Sequence, residues 1–347
     1  MKKALITGGA GFIGYHLARH LLAHGYQVHV LDDFSRGARD RGLEQLEGQR
    51  AVQVRSADLL DPHSLDEVDR DYSHVYHMAA IIGVANVLER PYAVLRGNVA
   101  MLNRVLDFAQ QLPGLERVVF PSTSEVYAGS LEHFDLPIPT PEEAPLALPD
   151  LSRPRTSYML SKIYGEALCH HSGLPFTIVR PHNVYGPRMG MQHVVPELLQ
   201  RAYRARPGGE LEVFSPDHTR TFCYVDDAVE LIRRVAEADA GRQGTFNIGT
   251  QDEEITIRAL AELVIRLVGR PLTIQAGPIT SGSSPRRAPE MSRTVAAAGF
   301  RPTVSLEDGV RRTFEWYRQN VFETPAAGSG KHAPARGPGG GGASWSS

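Results

Sequence analysis

Long apolar runs are missing from this chain: no stretch approaches the roughly 18 to 20 residues that a membrane span needs, so no membrane partner is expected. The N-terminal MKKALITGGAGFIG starts basic and apolar, but glycines interrupt it and no small-residue cleavage site comes after, so it does not read as a secretory leader. Neither sign of charge dominates. With 37 Lys and Arg against 39 Asp and Glu, a net charge of -2, the chain offers no basic field for nucleic acid or an anionic surface. Cysteine is scarce as well. Cys169 and Cys223 are the only two; they lack metal-ligand spacing and are expected as buried free thiols in a reducing, cytoplasmic setting, with no metal site. What is present is ordinary for a folded protein. Hydrophobic residues make up 42% and charged ones 22% of 347 residues, enough for one large domain or two modest ones.

Short apolar runs alternate with helix-period segments from the start: KALITGG, FIGYHLARHLLAHG, QVHVLDD, a helix ending near Gly48, AVQVRSADL and HVYHMAA. That rhythm predicts βαβ units in a parallel, doubly wound α/β sheet with right-handed crossovers. A helix around Asn98 to Gln111, the strand RVVF, a helix from about Ser157 to Ser172 and the strand FTIVRP continue it, which assigns residues 1–185 to the first domain. From Gly186 the rhythm loosens. HVVPELLQRAYRA, LEVF, IRALAELVIRLVG and PLTIQAG predict a smaller mixed α/β lobe over residues 186–321, while FCYVDDAVELIRRV and FNIG, about residues 220–250, can return to the first sheet. SLEDGVRRTFEWYRQN reads as an amphipathic helix capped by Ser305. Residues 322–347 hold too little apolar material to pack and are expected to be disordered.

TGGAGFIG sets Gly9, Gly11 and Gly14 in G-x-G-x-x-G spacing with Gly8 in front, between a strand and a helix. Such a turn brings the backbone close to a pyrophosphate and aims the unsatisfied N–H groups of the helix start, around Phe12 and Ile13, toward it. Asp32 ends the next strand at about the twenty-residue spacing of that fingerprint. Its carboxylate can take both ribose hydroxyls and repels a 2′-phosphate, so NAD is the expected cofactor over NADP. Asp33, Ser35 and Arg36 come next on the same loop, and Arg36 is close enough in sequence to complicate that choice. Asp58 with Leu59, and the pair Ala79 and Ala80, fall at later strand ends, where they flank adenine and pyrophosphate or are ordinary loop residues.

Tyr158 and Lys162 in SYMLSKIYGEAL stand four apart on one helical face. An ammonium beside a phenol favours the phenolate and makes Tyr158 a plausible base near neutral pH. Between the glycine turn and this pair lies PSTSEVYAG, directly after the strand RVVF. Two serines, a threonine and a glutamate fit either a self-capped turn or a catalytic loop at the carboxyl end of a parallel strand, where open α/β sheets bind ligands.

Together, TGGAGFIG, VLDD, HMAA, the Asn98 helix, PSTSEVY, YMLSK, RPHNVYGPR and RTFCYVDDA resemble the extended short-chain dehydrogenase/reductase family over about residues 1 to 320, specifically its NAD-dependent nucleotide-sugar epimerases and dehydratases. The resemblance implies a Rossmann-type doubly wound parallel sheet with a smaller substrate-binding lobe, and oxidation of a sugar at C4 to a 4-keto intermediate. It makes Thr123 the hydrogen-bond partner of the 4-hydroxyl, Tyr158 the base, and Lys162 its activator and a ribose ligand, with Asn98 beside the cofactor. Asn183 is implied at the substrate diphosphate, Arg220 at its phosphates, and Arg287 near a phosphate or the reacting sugar, Arg286 being the neighbouring candidate. Gln192, His193 and Val194 form a further substrate segment. Gln192 and His193 depart from the paired asparagines of galactose-type epimerases, and His193 reads equally as a solvated helix-start residue. The helices near Asn98–Gln111 and Ser157–Ser172 resemble those of the family's dimer interface, which implies a homodimer.

The fate of the 4-keto intermediate turns on the residues beside Thr123. Return of hydride to the other face of the ketone makes a 4-epimerase; a C5 carboxylate makes a β-keto acid that loses carbon dioxide; a C6 hydroxyl allows elimination of water. Dehydratases of the family carry Thr-Asp-Glu, and Ser124 in place of the aspartate cannot readily supply the leaving-group proton. Thr-Ser-Glu with an arginine matching Arg287 is the pattern of glucuronate decarboxylases. Glu125 either belongs to that pattern or is a loop carboxylate that never touches substrate. Because epimerases dominate the broad group, the first reading is a 4-epimerase of a UDP-hexose or UDP-hexuronate such as UDP-glucuronate. UDP-glucuronate decarboxylation is the alternative, 4,6-dehydration ranks lower, and a non-catalytic NAD-binding scaffold has no need of Thr123, Tyr158 and Lys162 together.

Overall fold

The computed structural model describes residues 2–252, 254–280 and 284–323. Its first part runs β1 (Lys3–Thr7), α1 (Phe12–Ala23), β2 (Gln27–Asp32), α2 (Arg41–Glu47), β3 (Val52–Ser56), β4 (His74–His77), α3 (Val84–Glu89), α4 (Pro91–Ala109) and β5 (Arg117–Pro121). A 3-10 turn, Ser124–Tyr127, then leads through α5 (Ala128–His133) and α6 (Thr156–His171) to β6 (Phe176–Pro181). Beyond it come β7 (Val184–Tyr185), α7 (Val194–Arg204), β8 (Glu210–Val213), β9 (Thr219–Arg220), β10 (Cys223–Tyr224), α8 (Val225–Glu237) and β11 (Gly244–Ile248). The chain ends its described part with β12 (Ile255–Thr256), α9 (Ile257–Val268), β13 (Thr273–Ala276), β14 (Arg286–Arg287), α10 (Ser292–Ala298) and α11 (Leu306–Tyr317).

Seven strands form one parallel sheet in the order β11-β6-β5-β4-β1-β2-β3. The central strands β1, β4, β5 and β6 are buried at nearly every position because both faces are covered. Alternation divides them cleanly: Ala4 and Ile6 join the core under α1 and α8, while Leu5 joins the one under α4 and α6. Strand order reverses between β1 and β4, which opens a crevice at their carboxyl ends. β11 reaches this sheet from late in the chain, so the second half crosses back before the smaller lobe is finished. That lobe contains the β8–β13 pair and the three short strands β12, β9 and β14.

Differences from the sequence expectation have local chemical reasons. α4 starts at Pro91, seven residues before Asn98, since proline suits a first helical turn whose N–H groups have no partner. The chain also stays packed just past Val321: Phe322 stacks on Tyr203 with ring centroids 5.2 Å apart and on Tyr317 at 5.8 Å. An aromatic ring with apolar neighbours gains more from burial than from joining a tail. The rest of the predicted tail, residues 324–347, lies outside the described residues. Cys169 and Cys223 are buried and free. No helix among the described residues is long and apolar enough to cross a membrane.

Candidate active site

β1 delivers the glycine turn to the crevice beside β4. Gly8 has φ +70°, and a Cβ there would sit 2.5 Å from Ala79 N, while one on Gly14 would lie 2.3 Å from Gly8 O. Both positions therefore require glycine. A Cβ on Gly11 would meet only Gly8 O, at 3.2 Å, so the space above it is open. α1 starts there with no side-chain cap on its first amides, around Phe12 and Ile13. Uncapped N–H groups facing open space at a helix start suit a pyrophosphate.

Asp32 ends β2 and accepts from Ala10 N at 2.9 Å and Phe34 N at 2.8 Å. Burial raises its carboxyl and these amides oppose the shift. Exposed Asp33 takes Ser35 N and Oγ at 2.9 and 2.7 Å, shaping the ribose-side loop. Asp58 is exposed at the end of β3 and accepts from Leu60 N, with Leu59 buried beside it. Ala79 and Ala80 are half-buried on the loop after β4. Asn98 spends its amide on Ile81 N, Ile81 O and Ser161 Oγ, at 2.7, 3.1 and 3.2 Å. It shapes that loop and ties it to α6 in place of offering free ligand atoms. An open glycine turn with a carboxylate at the neighbouring strand end fits a dinucleotide such as NAD.

β5 ends at Pro121, and Thr123 opens the 3-10 turn by accepting from Glu125 N at 3.3 Å. The turn is self-capped, yet the threonine keeps its hydroxyl proton for a partner in the cleft. Buried Ser124 has its Oγ 3.4 Å from Arg287 Nη1. Glu125 is exposed, and its charge acts on both the Tyr158 phenol and the Arg287 guanidinium, so it borders the same space.

Tyr158 and Lys162 stand one turn apart on α6. Lys162 Nζ donates to Pro121 O at 2.8 Å and lies 5.7 Å from the centre of the Tyr158 ring. Burial lowers Lys162 to about 8. Burial also pushes the Tyr158 phenol up, Glu125 adds to that, and Arg36 from the loop after β2 opposes it. In this arrangement the ammonium donates to the Pro121 carbonyl, and at the phenol burial outweighs the nearby Arg36 charge.

Parallel pairing sets Arg287 of β14 opposite Arg220 of β9, and side chains in register share a face. Arg220 is buried, donates to Thr219 O at 2.7 Å and to Ser284 O at 2.6 Å, and is lowered to about 10 by burial and then by Arg287. Two guanidiniums side by side make a site for an anion. Arg286 is separated from them by alternation: it is exposed and held by Glu254 at 2.6 and 2.8 Å. Asn183, at φ +41°, donates to Thr221 O at 3.0 Å. Gln192 and His193 are exposed at the start of α7, where Val194 is the first helical residue and His193 makes no capping bond. Partial burial and Arg36 lower His193.

Sequence reasoning left two features without a role. Ser122, next to Thr123, is buried with its Oγ unpartnered. Arg188 lies inside the quoted RPHNVYGPR, but its contacts are with residues more than a hundred positions away, so no local pattern marks them. Among the described residues, His20, His24 and Glu230 form the single cluster with metal-ligand chemistry. Its carboxylate is already taken by His20, Arg233 and Arg234.

Residues 4–249 match the profile of the NAD dependent epimerase/dehydratase family. The chain is 33% identical over 332 residues to the UDP-N-acetyl-alpha-D-glucosaminuronate decarboxylase of Bacillus cytotoxicus, covering 92% of this chain and 98% of that one. Among solved structures it is similar to a UDP-glucose 4-epimerase from Thermotoga maritima with UDP-glucose, 27% identical, with 91% and 99% coverage and a TM-score of 0.79. It is equally similar to a dTDP-glucose 4,6-dehydratase from Streptomyces venezuelae with NAD bound, 27% identical, with 92% and 97% coverage and a TM-score of 0.79. Decarboxylation, epimerisation and dehydration thus share this architecture.

Proposed function

The chain belongs to the NAD dependent epimerase/dehydratase family, whose members named above act on nucleotide sugars, and we propose that it decarboxylates a UDP-linked hexuronate. The observation that carries this reading is the contact between Ser124 and Arg287 beside Thr123. A serine there supplies no acid for dehydration, while a half-buried guanidinium with a hydroxyl is a receptor for a carboxylate. The full-length similarity to a decarboxylase of a UDP-linked uronate supports the same choice over 4-epimerisation, the reaction put first from sequence.

When bound, NAD supplies the acceptor for a hydride from the sugar's C4 and later its donor. The remaining work falls to this chain. Thr123 hydrogen-bonds the 4-hydroxyl, and Tyr158, acting as its phenolate, takes the hydroxyl proton and becomes the neutral phenol. Lys162, with a pKa of about 8, is still mostly protonated at neutral pH and keeps positive charge one helical turn from the phenol. Arg287 and Ser124 hold the C5 carboxylate until C4 becomes a ketone, after which the β-keto acid loses carbon dioxide. The carbanion left at C5 takes a proton from solvent, which exposed Glu125 borders. Arg220 and Asn183 serve the diphosphate.

A homodimer and a cytoplasmic setting belong to the same proposal. The homodimer is supported by Tyr92 on α4 and Tyr164 on α6, large aromatics that are 75% and 48% exposed on packed neighbouring helices; sedimentation at a single mass of one chain would remove it. The cytoplasmic setting rests on the two free thiols. The test of the reaction is incubation with NAD and UDP-glucuronate, UDP-N-acetylglucosaminuronate or UDP-glucose, with product mass as readout. One uronate is expected to lose the mass of carbon dioxide. Unchanged mass with a new retention time would return the reading to epimerisation, and no product from any of them would remove both.

A further inference from the structure

We propose that Arg188 is a positioning residue that couples the two ligand sites: through it, the segment bearing Asn183 holds the glycine turn and the ribose-side loop in binding shape, so that NAD and nucleotide sugar bind cooperatively. Arg188 lies between β7 and α7 with φ +68°, a conformation that a non-glycine residue keeps only where its surroundings dictate it. Its side chain is 7% exposed. Nη1 donates to Asp40 Oδ2 at 2.6 Å, and Nη2 donates to the carbonyls of Ala10 and Ala38 at 3.3 and 3.4 Å. The guanidinium also lies 3.8 Å from the centre of the Tyr15 ring.

The gripped residues are not incidental. Ala10 sits inside the glycine turn, and its N–H holds Asp32 Oδ2. Gly37 packs so tightly on Ala10 that a Cβ there would fall 2.6 Å from the Ala10 Cβ. The ribose-side loop therefore rests on the phosphate turn at the point where Arg188 holds both, and Asp40 passes the contact on by capping α2 at Leu43 N. On the other side, the same segment is pinned by His16 Nε2 to Pro187 O at 3.0 Å and by Asn183 to Thr221 O. A planar fork with several fixed donors can satisfy three separated acceptors; an ammonium cannot reproduce that geometry.

The coupling half of this inference rests on the nucleotide-sugar reading, and the NAD half does not. Calorimetry on the full chain would measure NAD affinity with and without saturating UDP, and UDP affinity with and without NAD, for wild type, Arg188→Met and Arg188→Lys. In the wild type, UDP should tighten NAD about fivefold and NAD should tighten UDP by the same factor, because such coupling is reciprocal. Arg188→Met should weaken NAD about tenfold and bring the coupling factor close to one, with UDP alone within about twofold of wild type. Arg188→Lys should recover only part of the NAD affinity. A folded Arg188→Met that keeps wild-type NAD affinity or an undiminished coupling factor overturns the proposal. If that variant does not fold, Asp40→Asn breaks the same ion pair from its other end, and the same two outcomes decide. UDP failing to bind wild type sinks the nucleotide-sugar reading and the coupling with it; the NAD affinity of Arg188→Met then still judges the clamp.

Discussion

Around the glycine turn the chain offers a ligand mostly backbone; around Arg220 and Arg287 it offers side chains. The first region is a strand, a turn and a helix in direct succession, and its demands are steric: Gly8 and Gly14 have no room for a Cβ. The second draws Ser124, Asn183, Arg220 and Arg287 from four distant stretches, and two-residue strands hold both arginines. Backbone recognition is uniform and suits a cofactor shared by many enzymes. Side-chain recognition can be changed one residue at a time, so reaction and substrate can diverge while the fold stays.

Removing the group common to both regions has the largest expected effect. Tyr158→Phe should cut turnover about a thousandfold while leaving NAD and UDP affinities within about twofold, as measured by product formation and calorimetry. If either affinity fell with turnover, the phenol would be a structural link between the regions and the contrast would fail. Gly14→Ala attacks the backbone region alone. Its Cβ would lie 2.3 Å from Gly8 O, so NAD affinity should drop about a hundredfold with UDP still bound. Loss of both affinities would mean that the turn supports the whole cleft.

Arg287→Met attacks the side-chain region. It should lower kcat/KM for a UDP-uronate about fifty-fold and leave NAD affinity unchanged. An equal loss of UDP affinity would assign Arg287 to the diphosphate and not the sugar.

The smallest effect concerns stability and compares one buried histidine from each region. His77 on β4 and His182 after β6 are both lowered to about 3, burial being the main cause. The unfolded chain takes up their protons near pH 6.5, before the folded one can, so their contribution is intact above that pH and is lost as pH falls toward 3. Each should cost about 2 kcal/mol of stability by pH 5, seen as a melting transition that drops between pH 7 and 5. His182→Gln should remove its share of that slope, and a slope unchanged by the substitution would show that His182 does not titrate in this way.

Legibility split along the same divide. The βαβ order, the G-x-G-x-x-G turn, Asp32 and the Tyr158–Lys162 pair could be read directly, since each is a short-range pattern with a steric or helical reason. The choice between Arg286 and Arg287 could not. Pairing of β14 with β9 and the alternation of side chains set Arg287 beside Ser124 and leave Arg286 to Glu254. Asn98 was legible as a position, while its bonds to Ile81 and Ser161, which tie the loop after β4 to α6, needed the tertiary structure.

By itself the sequence determined the doubly wound sheet, the dinucleotide turn and the one-turn spacing of Tyr158 and Lys162, because periodicity and glycine sterics act over a few residues. Only the tertiary structure decided which groups surround the Tyr158 phenol and keep water from it, and the company of Arg287 and Arg188, whose partners are set by strand register and loop packing across more than a hundred residues.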